Sequence, residues 1–189
     1  MVSDTKTALL DSAERAARSL GFDGFSYADL AEDVGIRKAS IHHHFPSKAK
    51  LSVELMQRYC TTFETVCAEI DAAETTGGAR LRALIGRYRN ALQGGKSLCL
   101  CVSFSTSRES LPPEVIAQIG LFRALMLGWI ETTFQLGKAD GSIIAVNDAG
   151  LEAAAALALL EGAQLAARPQ EDPALFDSAL SLLSQRIAK

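Results

Sequence analysis

Residues 26 to 48, SYADLAEDVGIRKASIHHHFPSK, constrain the fold more than any other stretch of the chain. Ser26 stands where a helix N-cap belongs, and Asp29 follows at capping-box spacing. Tyr27, Leu30, Ala31 and Val34 recur at helical spacing and give a short helix one apolar face. Gly35 suits the left-handed conformation that ends a helix, and Ile36 follows as a buried turn residue. Arg37 to His44 predict a second helix with Ile41 and Phe45 turned to the core. Pro46 stops it, and Ser47 caps a third helix that begins at Lys48. Two short helices about a glycine turn form a helix-turn-helix, a unit whose second helix enters the DNA major groove.

Charge agrees with that reading locally. From Ile36 to Leu51 there are four basic residues (Arg37, Lys38, Lys48, Lys50), three histidines and no Asp or Glu. The first 35 residues carry seven acidic residues against three basic ones. DNA binding needs a local cationic face rather than a basic protein, so a net charge of −3 does not oppose it. It does exclude a protein that coats nucleic acid along a broad basic surface. The alternative for this segment is a solvated basic helix on an ordinary bundle.

The run GIRKASIHHHFPSKAKL, with the preceding helix from Asp4 to Leu20 and GFDGFSYADLAEDVGI, resembles the signature of the tetracycline-repressor (TetR) family of bacterial regulators. The resemblance is specific over Thr5 to Leu55. It departs at His42, where the family often has an aromatic residue, usually tyrosine. What it implies is an all-α protein of about nine helices. A helix-turn-helix head over residues 1–50 would be followed, through a long helix, by an effector-binding and dimerisation body over 51–189. Ser26, Tyr27, Arg37, Lys38, Ala39, Ser40, His42, His43 and Lys48 are the expected DNA contacts, on a palindromic double-stranded operator. Lys38 and Lys48 are expected to hold phosphates, helped by the helix N-termini at Ser26 and Ser47.

The remainder of the chain reads as helix nearly throughout. Leu9, Ala13, Ala16 and Leu20 form the expected stripe of the first helix. Lys48 to about Glu74 predicts one long helix, broken by TTGG (Thr75–Gly78), and Arg80 to Gln93 another. Residues 97 to 107 fit strand or helix. Prolines 112 and 113 open a helix running to about Gly137. Asp148 caps an alanine-rich helix reaching Arg168, and a last helix is expected over Ala174–Ile187. The apolar runs ALMLGWI and AAAALALLEGAQLAA are short or interrupted by charge, and the N-terminus lacks a signal-peptide pattern, so a cytoplasmic protein with no membrane partner is expected.

Residues 51 to 189 exceed what a DNA-binding head needs. Ala153–Ala156, Ala158, Gly162, Ala163, Ala166 and Ala167 allow close helix approach, and the last helix offers Leu175, Phe176, Leu180, Leu182, Leu183 and Ile187. A homodimer through the last two helices is therefore expected, the alternative being closure of the monomer core. Phe104, Phe122, Leu125, Met126, Trp129 and Phe134 suit the wall of a pocket for an apolar or aromatic effector; Phe104, Arg108, Phe122, Met126 and Trp129 are the candidate contacts, although aromatics at helical spacing are also ordinary core. Cys99 and Cys101 are candidate redox residues. Cys99 resembles a cysteine in an electrophile-sensing subgroup of the same family, and a buried thiol acting as a small hydrophobe is the competing account. Four cysteines in a cytoplasmic chain predict thiols rather than a disulfide frame. His42, His43 and His44 fan apart on a helix and cannot chelate one ion, so no metal and no cofactor is expected. All three histidines lie in the predicted recognition helix, leaving the body without an imidazole base. With no phosphate-binding glycine loop, an enzyme is not the expectation.

Overall fold

The computed structural model describes residues 5–188. They contain ten α-helices, one 3₁₀ turn at Arg108–Ser110 and no strand beyond an isolated antiparallel bridge between Ile143 and Ile187. The helices are α1 (Thr5–Leu20), α2 (Tyr27–Val34), α3 (Lys38–His44), α4 (Lys48–Ala73), α5 (Gly77–Ala91), α6 (Leu100–Ser105), α7 (Pro113–Ala139), α8 (Ala149–Ala167), α9 (Pro173–Ala179) and α10 (Ser181–Gln185). Asp4, the expected start of the first helix, lies outside the described residues. The chain forms two compact units. One comprises residues up to Cys60 with Leu100–Phe122, and the other Thr61–Cys99 with Arg123 onward.

In the first unit, α1 buries Leu9, Leu10, Ala13 and Ala17. This differs from the expected stripe: Ala16 is half-buried and Leu20 is 62% exposed. Leu20 continues the three-and-four spacing of Leu10, Ala13 and Ala17, but it is the last residue of α1 and stands in solvent. Helix α2 turns Tyr27, Leu30 and Ala31 inward, while Ile41 and Phe45 from α3 and its C-cap are fully buried. Ile36 is only half-buried. Arg58 of α4 holds Asp11 at 2.6 Å and Glu14 at 2.8 Å on α1. Within residues 97–107, Leu100–Ser105 are helical and form α6. Its Ser103 hydroxyl donates to the Ala17 carbonyl across 2.5 Å, and Phe104 meets Phe22 edge-on at 5.6 Å.

In the second unit, residues 74–76 break the long helix as expected, but the two glycines of TTGG already begin α5. Thr76 caps α5 by accepting from the Ala79 amide, and Gly77 and Gly78 lie inside the helix. A Cβ on Gly77 would stand 2.2 Å from the Gly137 nitrogen, so only glycine permits this approach to α7. Asp148 caps α8 as its sequence predicts. The expected final helix is instead divided at Leu180 into α9 and α10. After the break the chain turns back onto the loop before α8: the Ile144 amide donates to the Arg186 carbonyl and the Ala188 amide to Ser142, both at 2.9 Å. As whole helices, α7 and α8 are long and apolar enough to cross a membrane by length and composition alone, contrary to the reading from their shorter apolar runs. Both carry charge within their length, with Arg123 of α7 paired to Glu161 of α8 at 2.6 Å.

Candidate nucleic-acid interface

The helix-turn-helix is built by local chemistry. Ser26 takes an extended conformation, its hydroxyl accepts from the Ala28 amide at 3.2 Å, and the capping box with Asp29 is complete. The Ser26 hydroxyl and amide both donate to the Asp29 carboxylate, at 2.8 and 2.7 Å, and hold its carboxyl below the usual carboxylate range. Gly35 closes α2 at φ 73°, ψ 34°, its amide donating back to the last turn. Arg37 is the N-cap of α3 rather than its first residue. Ser47 caps α4 by accepting from the Lys50 amide at 3.2 Å.

The outer face of α3 is open. Arg37, Lys38, Ala39, Ser40, His42 and His43 are exposed, while Ile41 between them is sealed in the core. Ser26, Lys38, His42 and Lys48 line one concavity with Phe25, Tyr27 and Ser47. Two aromatic residues, two lysines and the N-cap residues of α2 and α4 are thus among its lining. Two of the expected contacts have partners of their own in the head. Tyr27 is buried, its hydroxyl donates to the Phe45 carbonyl at 2.9 Å, and burial pushes the phenol up to about 12. Lys48 is half-buried; its ammonium donates to the Phe25 carbonyl and lies over the Phe25 and Phe22 rings at 4.1 and 4.8 Å. Burial lowers its pKa, with Asp23 and Asp29 opposing the shift. Sequence reasoning missed this internal pin because its partners lie 23 or more residues upstream and no periodicity connects them. It also missed Ser103, whose partner Ala17 is 86 residues away.

The model of the bacterial regulatory proteins of the tetR family matches residues 9–55. A solved TetR-family transcriptional regulator from Agrobacterium tumefaciens is 30% identical, with 98% of each chain covered and a TM-score of 0.92. This chain belongs to the TetR family. The HTH-type transcriptional repressor NemR of Escherichia coli K12 is 21% identical over 98% of this chain and 94% of its own. The reduced form of E. coli NemR has the same fold, with a TM-score of 0.83. TetR-family proteins are transcriptional regulators rather than enzymes; they bind DNA operators through the helix-turn-helix, and they dimerise.

The candidate effector contacts of this TetR-family chain fall in different surroundings. Phe104 and Phe122 are fully buried in the unit that holds the head, Phe122 packing on Tyr59 at 5.1 Å. Arg108 belongs to the same unit and is exposed on the 3₁₀ turn. Met126 and Trp129 belong to the other unit; Met126 is fully buried, and the half-buried Trp129 donates its indole N–H to Asp71 at 3.1 Å. Cys99 is 2% exposed, and its amide donates to the Gln164 side-chain oxygen at 2.7 Å. Cys101 is fully buried. No disulfide joins the four cysteines.

Proposed function

We propose that this regulator is a cytoplasmic, homodimeric repressor that leaves a palindromic operator when a small apolar or aromatic effector binds its body. The observation that carries the reading is the face of α3. Six consecutive or near-consecutive side chains from Arg37 to His43 point to solvent beside a concavity holding Lys38 and Lys48, and Asp29 is turned into the cap of α2. Ala39, Ser40, His42 and His43 then meet base edges or phosphates, while Arg37 and Lys38 hold phosphates with Ser26 at the end of α2. Lys48 contributes one of its remaining ammonium protons, and Tyr27 acts by setting the end of α3.

Residues 1–50 serve as the DNA-binding domain and 51–189 as the effector and dimerisation domain in this reading. Apolar side chains left in solvent on the last helices support self-association: Leu151 is 73% and Leu182 74% exposed, with Leu165 and Leu175 also open. For the effector, the proposed contacts remain Phe104, Arg108 and Phe122 of the first unit, and Met126 and Trp129 of the second, each taken within its own unit. A molecule that displaces Phe104 also displaces its edge contact with Phe22, which lies under Lys48 in the head. The burial of Cys99 and Cys101 favours this noncovalent route over thiol chemistry, which needs an accessible thiolate.

Selection of duplexes from a random pool by the purified chain tests the proposal. It predicts enriched fragments with inverted half-sites about one helical turn apart. A pool recovered without any shared sequence would contradict it.

A further inference from the structure

The last turn of α3 is His42, His43 and His44, of which operator contact by hydrogen bonding uses His42 and His43. Their setting is unusual in charge. No carboxylate occurs from Ile36 to Leu51, so α3 itself offers an imidazolium no anionic partner. Of the carboxylates around them, Asp23 and Asp29 act on Lys48, which shares the concavity with His42. Tyr27 of α2 faces His42 at 5.0 Å and is a neutral phenol, and Asp29 on that helix is engaged by Ser26. Lys38 of α3 and Lys48 of α4 line the concavity with His42. His44 lies 5.6 Å from the His43 ring and 6.4 Å from Phe45, whose far contact is Lys6 of α1, itself paired with Glu54 of α4.

His42 and His43 are exposed and His44 is half-buried, so a phosphate backbone at the end of α3 brings anions to this turn; imidazole side chains change charge within about pH 5 to 8.

We propose that the histidine turn of α3 is a proton-dependent phosphate-binding surface, so that DNA association takes up protons and tightens as the medium becomes mildly acidic. The protonated form binds better. Affinity therefore rises as pH falls through the imidazole range and is lost as pH rises through it. With one proton taken up per head, a dimer gains as much as about two protons, and the logarithm of the affinity changes with pH by that number. Each imidazolium that meets a phosphate also steepens the salt dependence by about 0.9. The inference rests on the operator-binding reading.

The test uses the full chain and a duplex recovered by selection, with an arbitrary-sequence duplex alongside because the charge effect is independent of sequence. Dissociation constants are measured from about pH 8 to 6 at several salt concentrations. The expected result is at least a ~10-fold gain in affinity across that range, with a steeper salt slope at the acidic end. His43→Gln is expected to reduce the pH dependence, and the variant with His42→Gln, His43→Gln and His44→Gln to flatten it, whatever its affinity at the alkaline end. Affinity of the native chain that is flat in pH, with one salt slope throughout, overturns the inference and leaves the regulator reading standing. So does an undiminished pH dependence in the triple variant. Failure to form any DNA complex at any pH overturns the regulator reading itself.

Discussion

Lys48 shows how one side chain carries both architecture and binding. Its carbonyl and ring partners hold the Phe22–Phe25 turn, so Lys48→Ala is expected to destabilise the protein by about 1–2 kcal/mol. It is also expected to lower the salt slope of DNA binding by about one per head. Thermal unfolding and salt-titrated binding separate the two effects, and a stable variant with an unchanged slope would remove Lys48 from both roles. Asp29 gives a prediction in pH. Its carboxyl is held below the ordinary range in the folded state, so its stabilisation is present above the unfolded value and disappears as pH falls through the folded one. The relevant window lies below about pH 4. Asp29→Asn should therefore lose less thermal stability on acidification than the native chain; equal losses would show that the capping carboxylate is not linked to folding. Ser26, Asp29 and Gly35 were legible in the sequence because each acts on backbone within a few residues. The Lys48 pin and the Ser103 contact with Ala17 were not, because each joins residues that only the tertiary fold makes neighbours.

Among the elements, α5 marks where pattern reading misplaced a boundary. Glycine pairs ordinarily signal a helix break, and here Gly77 and Gly78 open a helix because α7 and the loop after it leave no room for a side chain. Gly77→Ala would drive its Cβ into the backbone of Gly137 and Thr133, with nothing flexible to yield. A loss of about 3 kcal/mol or more is expected in chemical denaturation. Gly86→Ala on the same helix meets open space and should be neutral or slightly stabilising. Similar losses at both positions would mean that helix propensity, not the close approach, governs α5. The division of the last helix at Leu180 was hidden for a related reason. Apolar residues continue through the break, and the return of Arg186 and Ala188 to the loop at 142–144 is set by distant partners.

At the scale of the whole molecule, the helical class and the head were legible because capping, turn glycine, periodicity and charge converge within one short segment. The effector surface was less so, since Phe104 and Phe122 are spent on core contacts that any helical body would need. The proposed assembly has its own test. Leu182→Glu places a charge on a side chain that is 74% exposed in the isolated chain, so it should leave the fold intact while yielding monomers in sedimentation and weakening operator binding by more than about ten-fold. A dimer that persists in this variant would move the interface elsewhere. The central claim is that the exposed face of α3 reads DNA. Equilibrium binding of the native chain and Lys38→Ala to the selected duplex, titrated with salt, tests it most directly. The account predicts a steep inverse dependence on salt whose slope falls by about one per head in the variant. An affinity indifferent both to salt and to Lys38 would contradict it.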